Sequence, residues 1–344
     1  MKERQAMQPL LQVRDLRIEF PVGHHETLKA VDGISFDVHA GETLGIIGES
    51  GSGKTTLGRA LVSLLQPSAG SVLYNGVDPR TLDRRQFRQH RRDYQIIFQD
   101  PNAALNPRMT IVDSVMEPLE ISGSRDRAGN RRQALEALAR VGLPADIGRR
   151  FPHQLSGGQK QRVNIARALT VRPRMMVCDE VVAALDVSIR GDVLNLFAEL
   201  QREFGLTYVF ITHDLSVVAH ISDRVGVAYL GRLMELGPAQ AITEKPLHPY
   251  TEALLSAEPI PLPSTMRPAR QIVLQGEIPS PIAPPSGCRF RTRCRYAQPR
   301  CAEQAPEWRE LKPQHWVACH FATAEGPPSA QTMPDTQAAQ TAAA

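Results

Sequence analysis

No run in this chain approaches the ~18 consecutive apolar residues that a membrane-spanning helix requires, so any membrane association is expected to go through partner proteins. Residues 1–11 carry Lys2 and Arg4 but lack the roughly 7–15-residue apolar segment of a secretory leader, and export is not expected. An excess of one charge is missing too. The 40 basic and 36 acidic side chains leave a net charge of +4, too small a bias to mark nucleic acid as the target. No internal repeat of roughly 20–50 residues is visible, which sets repeat architectures aside. Cysteine is scarce: there are five in 344 residues, four of them gathered between residues 288 and 319.

The 42% hydrophobic and 22% charged content is that of an ordinary globular protein, long enough for one large core and an appendage. From residue 11 to about residue 236, short apolar runs alternate with helix-like periodic stretches, the pattern of an α/β sheet with crossover helices. Residues 43–47, 95–98, 175–178 and 208–211 read as buried strands. In such sheets ligands sit at the carboxyl ends of strands. Between the second and third runs, Ala134, Leu135, Leu138 and Val141 keep helical spacing and predict a helical subdomain. Residues 189–204 place Val193, Leu194, Phe197, Leu200 and Phe204 on one helical face, with Gly205 positioned to stop the helix. After about residue 241 prolines interrupt every long periodic stretch, among them Pro246, Pro249, Pro259, Pro261 and Pro263. From residue 322 the chain is mostly Ala, Gln, Pro and Thr, too poor in large apolar side chains to offset its ordering entropy, and predicts a disordered tail.

Gly48-Glu49-Ser50-Gly51-Ser52-Gly53-Lys54-Thr55-Thr56 fits G-x-x-x-x-G-K-[ST] between a strand and a helix-like stretch through Leu65. The glycines let backbone N–H groups curl around phosphate oxygens, the helix N-terminus adds a favourable dipole, and Lys54 sets a point charge on the β- and γ-phosphates. Thr55 is then placed for Mg²⁺. Residues 174–180 read as a strand delivering Asp179 and Glu180 at its end. Asp179 suits Mg²⁺ through a water, and Glu180 suits polarising the attacking water as general base. Ser156-Gly157-Gly158-Gln159 satisfies a capping box. Capping alone does not call for two glycines, whereas a phosphate approaching the helix N-terminus does, because no Cβ then blocks the N–H groups.

Leu155-Ser156-Gly157-Gly158-Gln159 matches the signature of ABC ATPases, and with the phosphate loop, Gln99, Asp179-Glu180 and His213 the order and spacing over residues 10–245 resemble that family. The resemblance implies a P-loop NTPase of the α/β class with a central, mostly parallel sheet. It also implies an antiparallel β subdomain, a helical signature subdomain at about residues 100–171, and a small Cys/Pro-rich C-terminal module. Two such domains are then expected to face head to tail, with Ser156, Gly157, Gly158 and Gln159 closing on the ATP held by the other. Gln99 is implied to touch Mg²⁺ and the attacking water, joining Thr55 and Asp179 as a metal contact, and to sense membrane subunits. His213 is implied to contact the γ-phosphate and organise Glu180, Asp186 to cross the dimer interface, and Phe20 to stack on adenine. One departure stands out. Where the family usually has Pro-Thr-Ser or Pro-Val-Ser after the glutamate, this chain has Val181-Val182-Ala183, losing a fixed φ and a hydroxyl.

Leu247-His248-Pro249-Tyr250-Thr251, then Ala253-Leu254-Leu255, Gly276-Glu277-Ile278-Pro279-Ser280-Pro281 and Gly287-Cys288, resemble the C-terminal extension of the peptide and nickel branch of ABC importers. Phe98-Gln99-Asp100-Pro101 and Leu105-Asn106-Pro107-Arg108 agree with it. The nearest likeness is to the second ATPase of dipeptide import systems. This implies an ATP-hydrolysing subunit for di- or oligopeptide import, peripheral on the cytoplasmic face of a bacterial inner membrane. Its implied partners are a second, paralogous ATPase, two permease subunits and an extracytoplasmic binding protein, without nucleic acid. A nickel, glutathione or antimicrobial-peptide system of the same branch is the alternative. A soluble, non-transport ABC ATPase is the remoter alternative: such proteins usually carry a second ATPase domain or a long coiled-coil insertion, and neither is seen in this chain. The expected boundaries are a flexible start at 1–9, the ATPase domain at 10–245, the extension at 246–321 and the tail at 322–344.

Cys288, Cys294, Cys301 and Cys319 are spaced C-x5-C-x6-C-x17-C. A reducing cytoplasm disfavours disulfides, and a zinc ribbon wants C-x2-C pairs. Four thiolates hold a [4Fe-4S] cluster with irregular spacing, and the resemblance points the same way. Zinc, with His315 or His320 as ligands, and unligated thiols remain the other readings. Cys178, inside a strand, reads as plain core. Arg289, Arg291, Arg293 and Arg295 alternate around the first two cysteines and read as a solvated basic face.

Overall fold

The alternating start of the chain pairs with itself before the buried runs begin. In the computed structural model, which describes residues 8–23, 26–183, 185–257 and 272–328, β1 (Leu11–Val22) and β2 (Glu26–Val38) run antiparallel along their lengths. Leu11, Val13, Leu16 and Ile18 face a core shared with Val31, Ile34 and Phe36. β3 (Thr43–Ile47) and α1 (Lys54–Leu61) follow, and β4 (Ala69–Tyr74) completes a small sheet in the order β2-β1-β4. α1 ends at Leu61, short of the expected Leu65, and Ser63 turns the chain with a φ of 56°.

α2 (Arg84–Asp93) leads into β5 (Tyr94–Ile97), after which α3 (Ile111–Ile121), α4 (Arg127–Arg140) and α5 (Gly157–Leu169) pack as the helical subdomain. Ala134, Leu138 and Val141 lie in its core. Phe98, read as the end of the second strand, lies beyond β5 and is 37% exposed. β6 (Met175–Asp179), α6 (Val187–Phe204), β7 (Thr207–Ile211), α7 (Leu215–Ile221), β8 (Arg224–Tyr229) and β9 (Arg232–Pro238) return the chain to the central sheet. α6 ends as expected at Gly205, whose φ is 64°, but Phe204 leaves the buried face and lies under the Arg140 guanidinium. Phe197, Tyr208 and Phe210 interlock edge-on with centroids 5.4, 5.0 and 5.8 Å apart, contacts of about 0.5–1.5 kcal/mol each beyond burial.

The C-terminal part adds α8 (Ala239–Glu244), α9 (Pro249–Ala257), α10 (Pro299–Glu303), β10 (Arg309–Lys312) and β11 (His315–Val317). The central sheet runs β10-β11-β9-β8-β3-β7-β6-β5, parallel from β8 to β5 and antiparallel at the other end. The expected appendage therefore does not stand apart, since two of its strands extend the main sheet. Glu235 in β9 is wholly buried; its carboxylate accepts from Leu247 N at 2.6 Å and His248 N at 3.0 Å and lies 2.7 Å from His315 Nε2. Residues 1–7, 24–25, 184, 258–271 and 329–344 lie outside the described residues, and with them most of the expected tail and Pro259, Pro261 and Pro263. Residues 322–328 of that tail are described, and Ala322 and Pro328 are buried.

β3, β6 and β7 are buried at every position, as strands covered on both faces must be. Their parallel register matters most: Ile46 and Asp179 both pair with Ile211. The segments after Ile47, Asp179 and Ile211 therefore leave the sheet side by side, at the edge where ligands bind.

Candidate active site

The loop after β3 is shaped by backbone that tolerates no side chain. Gly51 and Gly53 have φ of 77° and 94°, and a Cβ on Gly53 would lie 2.0 Å from the Ala30 carbonyl. At Gly48 it would lie 2.1 Å from the Ala228 carbonyl. Lys54, at the first turn of α1, is 6% exposed, and its Nζ donates to Gly48 O at 2.7 Å, Glu49 O at 2.9 Å and Ser52 Oγ at 3.3 Å. Burial pulls its pKa down, while Glu180, Asp179 and Glu49 hold it up. A cavity of about 700 Å³ opens over residues 50–56 and is walled by Leu28, Ala30, Gln99, Glu180, His213 and Pro281.

Thr55 Oγ1 donates to Asp179 Oδ1 at 3.1 Å, so a hydroxyl and a carboxylate expected to bind metal already sit together. Such hard oxygen donors suit Mg²⁺. Burial raises the Asp179 pKa, the Thr55 bond lowers it and Glu180 raises it further, a charge balance that a bound cation reverses. Glu180 has a φ of 49°, a left-handed conformation that is uncommon outside glycine and clusters at functional sites. Its carboxylate is held from two sides: Gln99 Nε2 donates to Oε2 at 3.0 Å, and His213 Nδ1 lies 3.3 Å from Oε1. Three segments far apart in sequence thus converge on one carboxylate.

Sequence reasoning missed the support behind His213. Asp214 caps α7 by accepting from Ser216 N and Val217 N, and it pairs with Arg190 of α6 at 2.5 Å. An aspartate directly before a short apolar helix was the available signal.

The other named residues do not line this cavity. Ser156 and Gln159 close both arms of the capping box, with Gln159 N donating to Ser156 Oγ at 3.3 Å and Ser156 N to Gln159 Oε1 at 3.0 Å. The two glycines between them serve different purposes. A Cβ on Gly158 would meet Ile189 Cγ2 at 2.9 Å, a packing reason to be glycine, while a Cβ on Gly157 would meet nothing within 4 Å, so packing gives no reason for that one. Asp186 precedes α6, exposed and making no side-chain cap bond. Phe20 pairs with Leu28 across β1 and β2 and is 37% exposed. After Glu180, Val181 and Val182 are buried and Ala183 N donates to Glu180 O at 3.1 Å, so the departing segment forms a tight turn on the core.

Cys288, Cys294, Cys301 and Cys319 come together around one small cavity, with Phe290, Tyr296 and His320 also in its wall. All four are free thiols. Burial pushes Cys288 up to about 11 and Cys294 up to about 12. Gly287, with φ of 61°, makes room for the Cys301 carbonyl that accepts from Cys288 N at 2.8 Å. His315 is not there; it is spent on Glu235, and Gly237 makes space for its ring. His320 Nε2 lies 2.9 Å from Gln304 O. Among the described residues, no group of three or more His, Cys, Asp or Glu side chains is arranged to hold a metal ion. The expected solvated arginine face is overturned for two of its four members. Arg289 is 6% exposed and pairs with Asp32, and the Arg293 side chain is largely covered where it pairs with Glu49. Arg291 turns back to Ser286, and Arg295 pairs with Glu252. Cys178 is core, as read from the sequence.

A phosphate loop on a parallel sheet, a helical insert opening on a capped glycine pair, and a carboxylate held by glutamine and histidine define an ATP-binding-cassette ATPase. The family model for ABC transporters matches residues 31–183, and that for the oligopeptide/dipeptide transporter C-terminal region matches residues 234–301. The chain is 50% identical over 314 residues to the putative oligopeptide transport ATP-binding protein YkfD of Bacillus subtilis (strain 168), covering 91% of this chain and 95% of that protein. It is 48% identical over 319 residues to the oligopeptide transport ATP-binding protein OppF of Haemophilus influenzae, covering 90% and 96%. Among solved structures, the dimeric ATP-binding cassette MJ0796, in a post-hydrolysis state bound to ADP and Pi, aligns with a TM-score of 0.61 at 30% identity over 67% of this chain and 98% of that one. The chain belongs to the ATP-binding subunits of ABC transporters, in the branch carrying the oligopeptide/dipeptide C-terminal region, and is an ATP hydrolase coupled to transport.

Proposed function

We propose that this chain powers import of di- or oligopeptides across a bacterial inner membrane by ATP-driven closure against a second ATPase subunit. The carrying observation is that Glu180, Gln99 and His213 share one cavity with Lys54 and Thr55, while the capped glycines 157 and 158 lie outside it. One chain thus holds a complete phosphate cradle but not its cover. Backbone amides of the loop and Lys54 bind the phosphates, and Phe20 meets the adenine. Thr55, Asp179 and Gln99 would hold Mg²⁺, which would supply positive charge against the phosphates. Glu180 takes the proton from the attacking water, and His213 fixes that carboxylate and reaches the γ-phosphate. From the partner subunit, Gly157 and its neighbours exclude water when they close, and Asp186 crosses the interface.

Permease subunits dock beside Gln99, where Leu64, Phe87, Phe98 and Ile121 line a groove bordered by Arg84, Arg88 and Arg91. The subunit sits peripherally on the cytoplasmic face of that membrane; among the described residues no helix is long and apolar enough to cross it. The units are a cassette at 10–245 and an extension at 246–321. At the cavity they share, Cys288, Cys294, Cys301 and Cys319 would be the ligands of a [4Fe-4S] cluster. A lone zinc draws its ligands onto one point at ~2.3 Å, whereas a cluster gives each thiolate its own iron and so fits thiols gathered around a cavity.

The test is reconstitution with the partner ATPase, permeases and binding protein in vesicles. Peptide-loaded binding protein should stimulate ATP hydrolysis. No nucleotide retention with Mg²⁺ refutes the motor, and stimulation by nickel but not by peptide refutes the substrate. Anaerobically purified chain should be brown with about four iron atoms each; a colourless, iron-free sample refutes the cluster.

A further inference from the structure

Glu49, second residue of the phosphate loop, is chemically out of place there. A carboxylate in a cradle for phosphate repels its own ligand unless something neutralises it. Arg293 does so, donating from Nη1 and Nη2 to the two Glu49 oxygens at 2.6 and 3.1 Å, the two-pronged geometry that makes such pairs strong and directional. The Arg293 side chain is only 7% exposed. Glu49 N donates to Tyr250 Oη at 3.0 Å, and Glu49 O accepts from Lys54 Nζ at 2.9 Å. Every polar group of this residue is committed, two of them to the C-terminal part of the chain and one to the phosphate lysine.

The anchors behind Glu49 are rigid. Tyr250 is fully buried, with ring centroids 4.8 Å from Tyr229 and 5.2 Å from Phe290. These rings share one apolar cluster with Ile47, the last residue of β3, and with Cys288 and Cys301. Nearby, Arg289 grips Asp32 of β2, Pro281 O accepts from Lys29 N at 3.3 Å, and Pro281 itself walls the phosphate cavity. The C-terminal part is therefore built into the loop's wall as well as into the sheet.

We propose that Arg293 and Tyr250 are positioning residues for ATP: by neutralising and fixing Glu49 they make the phosphate loop charge-balanced and correctly shaped only when the C-terminal module is docked. The inference rests on the reading of this loop as the ATP site. It is tested on the full chain by titration with a fluorescent ATP analogue and by steady-state ATPase assays with the partner subunit. Arg293→Met leaves Glu49 unpaired and should raise the Kd for ATP about tenfold while kcat at saturating ATP changes less than about twofold. Arg293→Lys, which returns the charge without the fork, should fall between the two. Glu49→Gln removes the repulsion at its source, so Arg293→Met with Glu49→Gln should recover most of the lost affinity. A merely structural role predicts no such rescue. If Arg293→Met does not fold, Tyr250→Phe, which deletes one hydroxyl, should still weaken ATP about threefold. An unchanged Kd in a folded Arg293→Met or, failing that, in Tyr250→Phe, or a double variant no better than Arg293→Met, overturns the proposal. A wild-type chain that retains no ATP overturns the ATP reading and this inference with it.

Discussion

Glu180→Gln separates binding from chemistry at the carboxylate on which three segments converge. The glutamine keeps the volume and the backbone, including the φ of 49°, and it changes one oxygen into a donor. Its carbonyl can keep the bond from Gln99 Nε2 now made at 3.0 Å, leaving the new NH₂ toward His213 Nδ1, which is 3.3 Å from Oε1. A neutral imidazole meets that donor with its Nδ1 lone pair. Because no contact need break, ATP affinity should stay within about threefold of wild type. Turnover loses its base, and positioned general bases contribute about 10²–10⁴ in rate, or roughly 3–5 kcal/mol of barrier. Single-turnover phosphate release with the partner subunit reads the loss, and gel filtration with ATP should show a trapped dimer. A fall in turnover of less than about tenfold would remove Glu180 as the base.

The glycine pair of the signature should divide under substitution. Gly158→Ala collides with Ile189 and should cost about 1–3 kcal/mol of stability, whereas Gly157→Ala should melt normally yet lower ATPase activity of the assembled dimer; equal effects on both readouts would contradict the assignment. His248, 1% exposed, has its pKa pushed down to about 3 by burial. Since the unfolded value is near 6.5, stability is fully present above that pH and is lost on acidification, by about 1.4 kcal/mol at pH 5.5. Thermal melts of wild type and His248→Gln from pH 7.5 to 5.5 should diverge by that amount, and parallel curves would refute it. Val181→Pro with Ala183→Ser restores the family's usual turn and should preserve or raise ATPase activity; a fall would show that the buried Val181 and its neighbours have adapted to their own version.

Much of the candidate site was legible because its chemistry is local. The loop from Gly48 to Thr56 encodes its own curvature, Ser156 and Gln159 cap their own helix, and β3, β6 and β7 announce themselves as short runs buried on both faces. The limits of these strands fell within a residue of expectation. β10 and β11, of four and three residues, carry Glu310, Lys312 and His315 and show no apolar run, so their membership of the central sheet could not be read. Phe204 was misplaced because its helical face runs past the core's edge.

What the sequence by itself determined was the set of chemical groups and the local backbone that presents them, because a phosphate loop, a cap or a buried strand is specified by residues a few positions apart. Only the tertiary structure decided which groups meet. Arg293 reaches Glu49 across 244 residues and Arg289 reaches Asp32 across 257, and no periodicity or spacing records such a pairing. An arginine's environment is set by whatever the fold brings against it, which is why four alternating arginines read as a solvent-facing row while two of them turned out to be drawn inward into ion pairs, one of them with the phosphate loop.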